Sequence, residues 1–283
     1  MEKLKYIRKL GESFPYGYEK PPIAKVELWD FSRANENDEA RKEAVCLVAS
    51  ISYGNEYCKD PDRLWNLLIE RGHESPFEFV RSVYVADGRN MNLRNEEFLS
   101  LDACCEEAKR DELTAYEKYI TTFKLKVPIF VARQIQRHRS FSYMEMSRRY
   151  VKGEKVRFEF WCWGNSLANM AKAYYNSLID KGAKPEVART NLPLSLYTQF
   201  WMQGDYRAWL NFFIHRLHPE AQEETRLVAE AMWRLLKEHQ PEIIETMADY
   251  LDEWINDCNP IFRPAREKKA EWFREEWLED KDG

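Results

Sequence analysis

Glycine is scarce in this chain, at ten residues in 283, and none falls into a G-x-G-x-x-G or Walker-type loop. A nucleotide held here is held without the backbone cradles those loops provide. The six cysteines form no C-x-x-C pair; Cys104 and Cys105 are adjacent and the other four are scattered. That spacing argues against a zinc or disulfide framework and leaves reduced, mostly buried thiols as the expectation. No apolar run approaches the ~18 residues that span a bilayer. The opening MEKLKYIRKLGESFPYGYEK has no apolar stretch long enough for a secretory signal. A cytoplasmic location is the expectation. Internal repeats, low-complexity linkers and composition breaks are missing too, so residues 1–283 are expected to form a single domain.

What is present is apolar weight and strongly local charge. Hydrophobic residues make up 44% of the chain and charged residues 32%, which predicts globular folding. A net charge of −5 argues against a general nucleic-acid binder. Yet RQIQRHRSFSYMEMSRRY, from Arg133 to Tyr150, gathers five arginines against one glutamate.

Periodicity predicts an α+β fold, predominantly helical, with a small, mostly antiparallel central sheet. Ala44, Val45, Leu47, Val48 and Ile51 space a buried helix face within Asp38–Ser52. In DPDRLWNLLIERG, Asp60 caps a helix, Pro61 occupies its first turn and Gly72 ends it. Phe79–Val85, Thr122–Val127, Val156–Trp163 and Ser195–Met202 read as strands. Pro128 opens a helix expected to run through the basic stretch. Further helices are expected at Ser166–Lys181, Pro185–Asn191, Tyr206–Leu217 and Pro219–Gln240. A charged helical insertion is expected near 87–119, and a charged, solvent-facing extension near 264–283.

On a helix, Arg133 and Arg137 would share a face and repel by roughly 0.2–0.5 kcal/mol. A bound anion reverses that penalty, because guanidinium groups grip phosphate in a bidentate fork and stay protonated. Gln134 and His138 form a parallel pair of neutral partners. On composition alone a solvated arginine face remains open, as does a nucleotide- or RNA-binding role without catalysis.

The motifs narrow this. Arg137-His138-Arg139, seven intervening residues and Ser147 form the R-H-R-x7-S signature, which resembles the flavin-dependent thymidylate synthases. VPIFVARQ (Val127–Gln134), GHESPFE (Gly72–Glu78), EVAR (Glu186–Arg189), LPLSLYTQF (Leu192–Phe200) and Arg207…Asn211…Arg216 continue the resemblance in family order, from Ser50 to Met232.

The resemblance implies an enzyme that methylates dUMP to dTMP. Methylenetetrahydrofolate is its carbon donor, NADPH its reductant and FAD its hydride carrier, in a homotetramer with shared active sites. By motif position it implies dUMP contacts at Gln134, Arg137, Glu145, Met146, Ser147, Arg148, Arg149, Arg189 and Arg216. Met146 and Arg148 are expected to offer backbone N–H groups. FAD contacts are implied at Ser52, His73, Ser75, Glu78, Arg137, His138, Arg139, Ser140, Asp205, Arg207 and Asn211. Arg216 takes the catalytic role, stabilising charge when uracil N3 ionises. Ser147 is read as a ligand, because no acid–base partner stands at a telling spacing. A related enzyme that hydroxymethylates the pyrimidine is the nearest alternative.

Five positions depart from the family pattern: Ser50, Phe79, Arg148, Asp205 and Glu220. The last two place negative charge beside an anionic cofactor. No metal is expected, since Pro219 interrupts the His215, His218, Glu220 spacing and no H-E-x-x-H occurs. Trp209, Leu210, Phe212, Phe213 and Ile214 read as core or subunit interface.

Overall fold

The computed structural model describes residues 4–17, 21–34, 36–80, 85–87, 90–92, 119–149, 158–161 and 165–279. The expected insertion near 87–119 lies almost wholly outside them, as do the ends of the Val156–Trp163 strand. Within that range Phe160 pairs with Leu196 in an isolated antiparallel bridge.

The chain starts with strands β1 (Arg8–Ser13) and β2 (Lys25–Asp30). Helix α1 (Asp38–Ser50) follows, its first turn capped by the Asn37 side chain accepting from Ala40 N, and it runs on into a 3-10 turn at Ile51–Tyr53. Asp60 accepts from Arg63 N at 3.0 Å to start α2 (Pro61–Glu70), and Gly72 at φ 61° ends it as expected. Each such cap contributes about 1 kcal/mol. A 3-10 turn (Ser75–Val80) and a short hairpin of β3 (Val85–Asp87) and β4 (Asn90–Asn92) come next.

Strand β5 (Thr121–Pro128) leads into helix α3 (Ile129–Ile135) and strand β6 (Ser142–Glu145). Helices α4 (Asn165–Asp180) and α5 (Pro185–Ala188) precede β7 (Tyr197–Gly204) and α6 (Tyr206–Arg216). Three helices complete the described chain: α7 (Glu223–His239), α8 (Pro241–Asn256) and α9 (Arg263–Phe273). Among the described residues no helix is long and apolar enough to cross a membrane.

The sheet has the order β1-β2-β5-β7-β6 and every pairing in it is antiparallel. Strand alternation sends successive side chains to opposite faces. Val26, Leu28, Phe123, Leu125, Phe200 and Met202 face α6, α7 and α8, while Trp201 faces α1 and the Ser75–Val80 turn. The lysines that alternate in TFKLKV are not simply solvated. Lys124 is 9% exposed and lies 5.3 Å from the centre of the Trp201 ring, with burial lowering its pKa.

Four expectations need correction. The helix opened by Pro128 stops at Ile135, and the basic stretch continues as a turn and the edge strand β6. The cause is non-local: Phe141 seats over Gly204, where an added Cβ would come within 2.6 Å of its ring, and β6 zips onto β7 from Ser142 to Glu145. Phe79 and Val80 belong to a 3-10 turn rather than a strand, buried against α1. Residues 219–222 lie outside α7, which begins at Glu223. The C-terminal extension is not merely solvent-facing: Ala270 and Phe273 are buried, and Phe273 meets Trp233 edge-on at 5.4 Å. Strands β1 and β2 and helix α8 had no counterpart in the sequence reading, nor did β4, which falls where the insertion was expected to be helical. The apolar residues Ile243, Met247, Tyr250, Leu251 and Trp254 form one buried stripe of α8.

Candidate active site

The turn after α3 sorts its residues by burial. His138 and Phe141 point into the protein at 8% exposure each, while Arg137, Arg139 and Ser140 are exposed. Phe141 packs edge-on against Trp209 at 4.6 Å, and His138 does the same against Phe212 at 5.0 Å. The Tyr143 hydroxyl closes the turn from β6, 3.1 Å from the Ile135 carbonyl and 2.9 Å from that of His138. Burial raises the Tyr143 pKa, so it stays a neutral donor. Two buried anchors thus hold up a loop whose guanidinium groups face outward.

Arg216, at the last turn of α6, is the cation that meets this loop. Its Nε donates to His138 Nε2 at 2.9 Å and its Nη2 to the Gln134 carbonyl at 2.8 Å. Both acceptors are neutral. Burial, then Arg216 and His215, push the His138 pKa down to about 3. An imidazole that accepts at Nε2 carries its proton on Nδ1. Burial and then neighbouring Arg137 lower the Arg216 pKa, yet a guanidinium keeps its charge at neutral pH. Arg216 is therefore held in place without being neutralised.

The sequence-predicted residues fall into neighbouring groups. Gln134, Arg137, His138 and Arg216 form the one just described. The Gln134 side chain is engaged with α7: its Oε1 accepts from Thr225 Oγ1 at 2.9 Å, and its amide faces Gln222. A second group is tied to the 3-10 turn after α1, where Ser147 N donates to the Ser52 carbonyl at 3.1 Å and Met146 N to that of Gln199 at 2.8 Å. The Met146 N–H expected to meet dUMP is instead committed to β7, which leaves Met146 only its other atoms for a ligand. Ser147 Oγ accepts from Arg149 N at 3.2 Å. Glu145 accepts from Thr198 Oγ1 at 2.6 Å and Gln136 Nε2 at 3.2 Å. The Ser75–Val80 turn carrying Ser75 and Glu78 lies beside β6, with His73 and Ser75 exposed and Glu78 half-buried.

A third group joins Arg149 to Glu186 of α5 at 3.7 Å, three residues before exposed Arg189. The fourth lies on α6, where Arg207 and Asn211 share a face as predicted and both meet α8. Arg207 lies 4.7 Å from the centre of the Tyr250 ring, and Asn211 Oδ1 accepts from Trp254 Nε1 at 3.3 Å. Among the described residues, Arg133, Arg137, Arg139 and Arg189 make no ion pair.

The departures from the family pattern have local causes. Asp205 caps α6, its carboxylate accepting from Ala208 N at 2.8 Å, so its charge is directed into the helix N-terminus. Ser50 is buried and donates to the Cys46 carbonyl at 2.7 Å. Phe79 is fully buried in the core beneath α1. The Arg148 guanidinium donates to the Tyr197 carbonyl at 3.0 Å and lies 5.8 Å from the centre of the Phe158 ring, which leaves its backbone for any ligand. Glu220 is exposed on the loop after α6.

A cavity of about 480 Å³ is lined by His215 of α6 and by Cys258, Phe262, Ala265, Arg266 and Lys269 among others. None of those residues was predicted to be functional. The described residues contain no group of three or more His, Cys, Asp or Glu placed to hold a metal ion. Sequence reasoning also missed Tyr143, Thr225, Tyr250 and Trp254, which order the predicted residues from behind.

The sequence model of the family described as thymidylate synthase complementing protein matches residues 102–242. A flavin-dependent thymidylate synthase of Thermotoga neapolitana is 34% identical over 224 residues, covering 72% of this chain and 84% of that one. The chain belongs to the flavin-dependent thymidylate synthase family. A flavin-dependent thymidylate synthase of Pseudothermotoga lettingae is 33% identical over 229 residues, covering 72% of this chain and 83% of its own. A shorter match reaches that of Thermus thermophilus, 34% identical over 149 residues, or 44% of this chain and 55% of that one. Family membership makes this chain an enzyme that depends on a flavin. The span matched by the family model ends at Glu242, so nearly all of α8 and the whole of α9 lie beyond it.

Proposed function

We propose that this enzyme converts dUMP to dTMP, taking its carbon from 5,10-methylenetetrahydrofolate and its reducing equivalents from NADPH, with FAD as the resident flavin. One observation carries the reading: Arg216 donates to two neutral acceptors beside exposed Arg137, which makes no ion pair among the described residues. Surplus positive charge, held rigidly and left uncompensated by the protein, suits anionic ligands.

The residues present fit FAD by their chemistry. Arg137, Arg139 and Ser140 offer exposed donors to a diphosphate, and the one acidic residue of the flavin set on α6, Asp205, is occupied as a helix cap. The proposed flavin contacts are Ser52, His73, Ser75, Glu78, Arg137, His138, Arg139, Ser140, Asp205, Arg207 and Asn211. Reduced FAD, when bound, supplies the hydride.

The protein's own part is positioning and polarisation. Gln134, Arg137, Glu145, Met146, Ser147, Arg148, Arg149 and Arg189 hold dUMP. Arg216 stabilises the negative charge that develops as uracil N3 ionises, which makes C5 a better carbon nucleophile. Ser147 acts as a ligand rather than a nucleophile. Its Oγ accepts from Arg149 N, and among the described residues no histidine or carboxylate is hydrogen-bonded to it. We place the chain as a single domain in a cytoplasmic homotetramer whose active sites are shared between subunits.

Purified protein should be yellow or turn yellow with added FAD. It should release tritium from C5-labelled dUMP only when NADPH and methylenetetrahydrofolate are both present. A colourless protein that takes up no FAD, or a product whose mass is that of hydroxymethyl-dUMP, overturns the assignment.

A further inference from the structure

Asn211 sits mid-way along α6, half-buried, and its amide has one partner among the described residues, the Trp254 indole. An indole N–H only donates, so it selects the oxygen end of the amide and excludes the flipped arrangement. The Nδ2 group is turned the other way and meets no acceptor among the described residues. Asn211 is thereby set as a donor.

Trp254 is itself tightly held. It is 4% exposed, and the Arg266 guanidinium lies 4.5 Å from the centre of its ring. Arg266 Nη1 also reaches the Trp254 carbonyl, and donates to the Asp257 carbonyl at 2.9 Å. The His215 ring meets the indole edge-on at 6.2 Å. Trp254 and Arg266 both lie beyond the span matched by the family model.

We propose that Trp254, clamped by Arg266, is a positioning residue that fixes the Asn211 amide so that it donates to an acceptor oxygen or nitrogen of the flavin. This rests on the reading that Asn211 touches the flavin. The C-terminal helices then serve the cofactor site without contacting the cofactor.

Flavin dissociation constants of the apoprotein, read from fluorescence quenching, test both layers separately. Asn211→Ala should weaken FAD binding about tenfold, and Trp254→Phe, which keeps a ring but removes the N–H, about fivefold. In the Asn211→Ala background, Trp254→Phe should change the constant by less than about twofold, because its effect passes through the amide. A purely packing role would instead give the same fivefold loss in both backgrounds and overturns the proposal. So does unchanged FAD binding by Trp254→Phe while Asn211→Ala loses it. Unchanged binding by Asn211→Ala removes the flavin from Asn211 and overturns the parent reading as well. Should Trp254→Phe fold poorly, Arg266→Gln keeps the indole and loosens its clamp. It is expected to weaken FAD about twofold, with no further loss when Asn211 is already Ala; full affinity in Arg266→Gln counts against the proposal.

Discussion

The two ends of helix α6 hold their arginines in opposite ways. At the C-terminal end, Arg216 is gripped by the hydrogen bonds it donates to two neutral acceptors, with Arg137 close enough to raise the local positive potential. At the N-terminal end, Arg207 lies against the Tyr250 ring, its Nε donating to the Tyr206 hydroxyl at 3.1 Å, and Asp205 caps the helix beside it. A cation hydrogen-bonded to neutral groups has no carboxylate to cancel its charge, and the helix C-terminus favours holding it there. A cation spread on an aromatic face beside a carboxylate is better suited to shaping a surface. On the proposed function, one helix thus presents a polarising end and a packing end.

Exchanging those arginines should break the symmetry most visibly at Arg216. Arg216→Gln is expected to lower kcat at least ~10²-fold while FAD remains bound, comparable to the loss of a transition-state donor. Steady-state tritium release alongside the flavin spectrum checks this; equal loss of flavin and turnover would place Arg216 on the cofactor instead.

Acid should also test the polarising end. His138 and His215, with pKa values pushed down to about 3 and about 4, are neutral when folded and near 6.5 when unfolded. The groups facing His138 are Arg216, His215 and the Tyr143 turn, and those facing His215 include Lys269 and Arg266. The unfolded chain binds protons first, so their stabilising contribution is present above pH 6.5 and lost as pH falls toward 4 and 3. The slope is about 1.4 kcal/mol per pH unit for each histidine well inside its window. Urea midpoints measured from pH 7.5 down to 4.5 should fall; His215→Gln should flatten part of the fall, and a flat wild-type profile would contradict the burial of both rings.

At the packing end the effects are smaller. Arg207→Ala should weaken FAD about tenfold or less, equivalent to about 1.4 kcal/mol, and leave kcat at saturating FAD within about twofold. A collapse of kcat would erase the contrast between the two ends. Asp205→Ala should cost about 1 kcal/mol of stability through the lost cap, read by thermal or urea unfolding. FAD affinity should be undiminished, since the carboxylate is committed to Ala208 N and the proposed Asp205 contact with the flavin is then through its backbone.

The same contrast marks what could be read from sequence. Caps and periodic helices were legible because their signals are local: Asp60 with Pro61, and Gly72, act where they stand. The motif residues around Arg216 were legible through the resemblance. The turn from Gln136 to Phe141 was not, because its spacing suits a helix and only the seat of Phe141 on Gly204, a residue far along the chain, overrules it. The polar strand RKLGES and the edge strand SYME likewise exist through pairing with distant partners rather than propensity. Trp254 read as one apolar residue among many; only tertiary contact turns its indole toward Asn211.

The imidazole of His138 has a consequence for proton traffic. With Nε2 occupied by Arg216 and protonation displaced to about pH 3, this ring has no basic lone pair to lend in neutral solution. A hydrogen ion shed by a ligand at this loop therefore has to depart to some group other than His138, whether water, another side chain or another reactant.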